Sequence, residues 1–117
     1  MEEREVLKTI DEYLYNLKDG IKNVSDLIQE GKEQETFNLI AQVADGLQWV
    51  DEAINATKQY HDDELSLEQM NDFLQEILEA LENEDYILVS DLFSYEIMPI
   101  IENLHSNVKK YIEWNIN

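Results

Sequence analysis

From Tyr86 to Ile112 the chain carries no glycine, and its apolar side chains recur every third or fourth residue. Tyr86, Val89, Phe93, Ile97, Ile100, Leu104, Val108 and Tyr111 share one face of a helix at that spacing, and Ile87, Met98, Ile101 and Ile112 widen it. Asp85 precedes the run, where its carboxylate can accept from the first free backbone N–H groups as an N-cap. A stretch this long and this periodic predicts a helix buried along one side. The rest of the chain must then supply the surfaces that bury it.

A second stripe complicates that helix. Leu88, Leu92, Tyr95 and Pro99 fall on roughly the opposite side, where an ordinary surface helix is polar. Either neighbouring helices wrap this half of the segment, or the stripe faces a partner. Pro99 cannot donate to the carbonyl of Tyr95, and its ring crowds that carbonyl. The helix is therefore expected to kink between residues 95 and 99 and then resume, because the periodicity continues through Leu104, Val108 and Tyr111.

Three glycines and one proline leave little material for hairpins, which favours an all-helical chain. At 117 residues, with 44% hydrophobic and 30% charged side chains, one folded domain spanning 1–117 is expected. Val6, Leu7, Ile10, Leu14, Leu17, Ile21, Val24 and Ile28 predict a first helix over about 2–30, closed by Gly31 as a left-handed cap. Phe37, Ile40, Val43, Ala44, Leu47, Val50 and Ile54 predict a second over 34–60. Ser66 with Gln69 reads as a capping box, and Leu65 with Met70 as a staple, opening a third over 67–83. Leu67, Met70, Phe73, Leu74, Ile77, Leu78 and Leu81 form its buried face. The fourth runs over 86–114. Short connections make the expected architecture an antiparallel up-and-down four-helix bundle with a proline-kinked fourth helix. The third helix is shorter than the others, which would leave a groove where its neighbours project past it.

Gly20 and Gly46 lie inside the first two helices, at a cost of about 1 kcal/mol each relative to alanine. That cost implies a packing reason, the close approach of another helix. Asp19-Gly20-Ile21 with Val24 and Ile28 echoes Asp45-Gly46-Leu47 with Val50 and Ile54, by descent from a repeat, by a crossing at the glycines, or by chance.

The charge is extreme, 27 acids against 8 bases for a net −19. From Gln59 to Val108 there is no lysine or arginine against thirteen acids. Nucleic acid and anionic membrane would be repelled, whereas a basic protein would be drawn in. Solubility alone is the plainer reading of such a surface. The absence of cysteine excludes disulfides and thiolate metal sites. No apolar run approaches the ~20 residues that span a bilayer, and the charged N-terminus is unlike a secretory signal. A cytoplasmic location is expected.

Catalytic signals are weak. Glu102 and His105 have the Glu-x-x-His spacing of di-iron bundles, but a second pair and two further inward glutamates are missing. The only other histidine, His61, falls in an expected loop. Asp62, Asp63 and Glu64 lack the glycine and spacing of a calcium loop. Glycine-rich phosphate loops are absent. No catalytic residue, cofactor or metal is expected, and the chain is not read as an enzyme. Glu96 reads as a half-exposed carboxylate beside the main stripe, with a buried acid as the sharper reading. Trp49, sharing its side of the second helix with Ala53, Ala56 and Tyr60, is a candidate contact. Trp114 is either an end-cap or a contact.

Two segments carry a resemblance: Asp45-Gly46-Leu47-Gln48-Trp49-Val50 and Asp91-Leu92-Phe93-Ser94-Tyr95-Glu96-Ile97-Met98-Pro99. They resemble short, acidic, functionally unassigned proteins of Gram-positive bacteria, which implies an all-helical bacterial protein without an assigned activity. In size, charge and expected architecture the chain is also similar to flagellar export chaperones, without a matching residue motif.

These features predict a small interaction module, an adaptor or a chaperone-like protein. It would bind a protein partner through Leu88, Leu92, Tyr95, Glu96, Trp49 and Tyr60, apolar surface framed by carboxylates. The expected partner is a basic amphipathic helix. The alternative is a homodimer closed by the second stripe, with no foreign ligand.

Overall fold

The computed structural model describes residues 2–61 and 65–114, the Trp114 side chain excepted. All secondary structure among these residues is helical: α1 (Glu3–Gln29), α2 (Glu33–Ala56), α3 (Lys58–His61), α4 (Met70–Glu82), α5 (Tyr86–Asp91), a π-helical segment (Leu92–Ile97) and α6 (Met98–Trp114). The acidic stretch Asp62–Glu64 and the Trp114 side chain lie outside the described residues.

Helix α1 is the hub. Its stripe Leu7, Ile10, Leu14, Leu17, Ile21 and Val24 is buried along the whole length, and it packs against α2, α5, the π segment and α6. Contacts with α2 run antiparallel: Gly20 faces Val43, and Tyr13 faces Gly46. Those with α6 do the same, from Arg4 Nε donating to the Ile112 carbonyl at 3.5 Å to Asp11 beside His105. The glycines do not meet each other. Only Gly46 shows the close approach expected of both, since a β-carbon on Gly20 would make ordinary contact with Val43, and the glycine crossing does not hold.

Both helix stops nearest the bottom of the molecule use the same device. After α1, Gly31 adopts φ 73°, with the Lys32 N–H bonded to the Leu27 carbonyl at 3.1 Å. After α4, Glu84 adopts φ 54°, with the Asp85 N–H bonded to the Ala80 carbonyl at 2.8 Å. These are Schellman closures, and the second asks a left-handed conformation of a residue with a β-carbon. Asp85 then caps α5 as expected, accepting from the Leu88 N–H at 3.1 Å.

Three boundaries differ from the predicted ones. Helix α2 ends at Ala56, where the Thr57 N–H is shared between the carbonyls of Ala53 and Ile54, at 3.2 and 3.1 Å, and the Thr57 hydroxyl donates to the same two, at 3.1 and 3.0 Å. Helix α4 starts at Met70, not residue 67. The Ser66 hydroxyl accepts from the Glu68 N–H at 3.2 Å, and Leu65 and Leu67 are both buried, which holds residues 65–69 out of the helix. The expected single fourth helix is three successive pieces. Around Pro99 the chain winds a wide turn, in which the Met98 N–H reaches the Phe93 carbonyl five residues back. Pro99 thereby falls in the first turn of α6, where a missing N–H is least costly.

That wide turn resets the helix phase. Val89, Phe93, Ile97 and Ile101 are fully enclosed, in three successive steps of four. A plain α-helix would drift by about 40° at each such step. Ile100, expected on the buried stripe, is consequently only half-buried, and Ile101 takes its place.

Candidate functional site

Helix α2 is held mainly by α1, while α4 is held by α5 and the π segment. Where α2 and α4 pass each other they leave an open groove of about 390 Å³. That volume lies within the ~300–1,000 Å³ typical of ligand sites. Ile40, Ala44 and Leu47 form its α2 wall, and Leu67, Met70, Leu74, Ile77 and Leu78 form the opposite one. Asp45, Gln48, Asp51 and Asn71 supply its polar groups. Leu78 is 53% exposed, a large cost for a leucine that nothing covers. Phe37, also exposed, precedes Ile40 on the same face of α2, and its ring stands 6.4 Å from that of Tyr86 on α5.

The groove is electrostatically one-signed. Neither α2 nor α4 contains a lysine or arginine, against five acids on the first (Glu33, Glu35, Asp45, Asp51, Glu52) and four on the second (Asp72, Glu76, Glu79, Glu82). At 100° per residue, Ile40, Ala44, Leu47 and Asp51 fall within about 60° of one another. Asp51 therefore continues the groove-facing apolar stripe of α2. It is half-buried, and its carboxylate has no hydrogen-bond or ion-pair partner among the described residues. Asp45 stands at the exposed rim.

The six side chains expected from sequence to form one surface do not come together, and none lines this groove. Leu92 is 5% exposed and belongs to the core, which corrects its place in a partner surface. It sits three residues after Val89 and next to Phe93, both fully enclosed, at the edge of the buried face. Leu88 and Tyr95 are exposed, Tyr95 at 73%. Glu96 is exposed, so the buried-acid reading fails. Trp49 packs edge-on against Tyr13 of α1 at 5.3 Å, on another side of α2 from the groove. Tyr60 is half-buried against the core beside the α2 break. The apolar groove residues of α4, Met70, Leu74, Ile77 and Leu78, belong to the face that spacing predicts to be buried. The signal that distinguishes them is that Leu74 and Leu78, four apart, form a stripe beside that of Met70, Ile77 and Ala80, more apolar width than one neighbour can cover.

Both histidines are enclosed, against the loop expected for His61. His61 Nε2 stands 3.0 Å from the Ile54 carbonyl and 3.2 Å from the Thr57 hydroxyl, so it ties α3 to the end of α2. His105 Nε2 lies 2.7 Å from Asp11 Oδ1, with Tyr15 edge-on at 4.4 Å and Lys109 3.6 Å from the same carboxylate. Lys109 also hydrogen-bonds to the Tyr15 hydroxyl. Loss of water drives the imidazole pKa below its ordinary value, against the pull of the Asp11 hydrogen bond. At 1% exposure this ring cannot meet a solute, and the cluster acts as a clip between α1 and α6. Glu102, its partner in the Glu-x-x-His spacing, points to solvent. Among the described residues no group of three or more His, Asp or Glu side chains is placed to hold a metal ion. No described helix is long and apolar enough to cross a membrane.

A model of a domain family of unknown function (DUF8042) matches residues 5–107. The chain belongs to that family. No curated protein and no solved structure matches it. The family span takes in both walls of the groove and the whole π segment, so these features fall inside the domain that defines the family.

Proposed function

We propose that the chain is a cytoplasmic bacterial interaction module, adaptor or chaperone-like, that receives apolar side chains of a protein partner in the groove between α2 and α4. The observation that carries this reading is the open apolar groove itself, with Leu78 at its edge half in water. An exposed concave strip between two helices suits a partner helix with anchors at i, i+3 or i+4, and i+7. The net charge of −19 favours basic partners and opposes self-association.

The test uses a designed peptide of about 20 residues with leucines at those anchor spacings and glutamines elsewhere. Calorimetry should show binding to the wild type, loss of binding in Leu78→Glu, and unchanged binding in Tyr95→Ala, which lies away from the groove. Binding that survives Leu78→Glu, or no binding at all, would sink the proposal. Light scattering across a wide concentration range decides the homodimer alternative. A stable dimer that Leu78→Glu dissociates would mean that a second copy fills the groove.

A further inference from the structure

We infer that Asp51 is the residue that selects the partner: the α2/α4 groove takes a helix whose apolar stripe ends in a lysine or arginine, and that cation pairs with the Asp51 carboxylate. This rests on the groove being the binding site. It goes further by assigning one recognition contact and the partner chemistry that meets it.

Three observations lead there. The first is position. Asp51 occupies a place in the Ile40, Ala44, Leu47 series where the helical spacing calls for an apolar residue, and it lines the groove. The second is isolation. Asp51 is a half-buried residue with no hydrogen-bond or ion-pair partner among the described residues, although nothing in the fold requires a charge there. An acid left without a counter-charge in an apolar lining is available to one that an occupant brings. The third is that neither groove wall can supply that counter-charge, because α2 and α4 contain no lysine or arginine. A protein counter-charge in the groove would therefore be the occupant's. A cation on a helix fits best, since its neighbours one and two turns away would reach Leu47, Leu74 and Ile77 while the charge meets the carboxylate. Arginine has the advantage of a fork that can bind both carboxylate oxygens.

Asp51 differs in this from the other acids of the surface. Asp45, also in the groove lining, is exposed and well hydrated, so neutralising it should matter little beyond the general field.

The experiment is a cycle of two peptides against three proteins. One peptide carries leucine anchors with glutamine flanks. The other is identical except for a lysine at each end of the leucine stripe. The proteins are the wild type, Asp51→Asn and Asp45→Asn, with circular dichroism confirming equal helix content. Expected is that lysine improves affinity for the wild type by roughly five- to tenfold, that Asp51→Asn removes most of this gain, and that Asp45→Asn removes little of it. The neutral peptide should bind all three about equally. If lysine gives no gain, or if Asp45→Asn erases it as fully as Asp51→Asn, Asp51 is not the selecting contact, although binding of the neutral peptide would leave the groove reading standing. If neither peptide binds the wild type, both fall.

Discussion

The hydroxyl of Tyr13 occupies the space where a β-carbon on Gly46 would stand. Gly46 is therefore the floor on which an α1 side chain rests, and Tyr13 in turn supports Trp49 edge-on. In Gly46→Ala the ring must swing away. The repacking should cost about 1–3 kcal/mol, more than the roughly 1 kcal/mol of helix propensity regained. Urea unfolding should show a net loss. The same substitution made together with Tyr13→Ala should instead stabilise relative to Tyr13→Ala alone, and a loss there would show that something other than Tyr13 needs the glycine.

Glu84 should be improvable. It holds φ 54° in the turn after α4, where the corresponding turn after α1 uses Gly31 at φ 73°. Glu84→Gly should raise stability by about 1 kcal/mol, because a left-handed turn costs a side chain with a β-carbon about that much. Glu82→Gly, inside α4, should lower it by a similar amount. Thermal melts of the two variants should move in opposite directions.

Two leucines of similar appearance in the sequence should behave differently. Leu92→Asp places a charge in the core and should cost more than about 4 kcal/mol, enough to unfold much of the population. Leu78→Glu changes a half-exposed position and should stay within about 1 kcal/mol of the wild type. Circular dichroism at increasing urea separates them. Equal tolerance would mean that Leu92 is not core.

His105 should make the fold sensitive to mild acid. Its folded-state pKa lies below the ordinary value, with desolvation the leading cause and Lys18 and Lys109 adding to it against Asp11. The unfolded chain then takes up this proton more readily than the folded one. The stabilisation is present above about pH 6.5 and is lost as pH falls through the folded-state value. Stability of the wild type minus that of His105→Gln should decrease as pH falls below about 6.5. A difference that grows on acidification would mean that the ion pair with Asp11 outweighs burial.

How much of this was legible in the sequence depended on whether local chemistry or a neighbour decided the outcome. The α1 stripe from Leu7 to Val24, the Gly31 stop and the Asp85 cap follow from spacing and from backbone preferences, and they hold. The all-helical class follows from the same signals. The end of α2 did not show, because the apolar periodicity runs on to Tyr60 while the break at Thr57 is joined by a tertiary contact, His61 folding back onto the Ile54 carbonyl and the Thr57 hydroxyl. The groove did not show either. Periodicity counts the apolar faces of α4 but cannot say that α2 stops short of covering Leu74 and Leu78. Leu92 is buried for a further reason that periodicity does not show: of the two leucines one turn apart on that stripe, neighbouring helices cover Leu92 and leave Leu88 open.

That wide turn can be counted as one surplus residue. If one residue were removed between Phe93 and Ile97, the enclosed positions from Val89 to Ile101 would be spaced four, three and four, as an unbroken α-helix requires. The interior would hardly register the deletion. What would change is the outside: Ser94, Tyr95 and Glu96, all exposed, form the outer arc of the turn, and Pro99 would find itself in mid-helix facing a carbonyl it cannot satisfy. The extra residue and the proline are thus two halves of one arrangement, a local change of length confined to the surface while the core keeps its register.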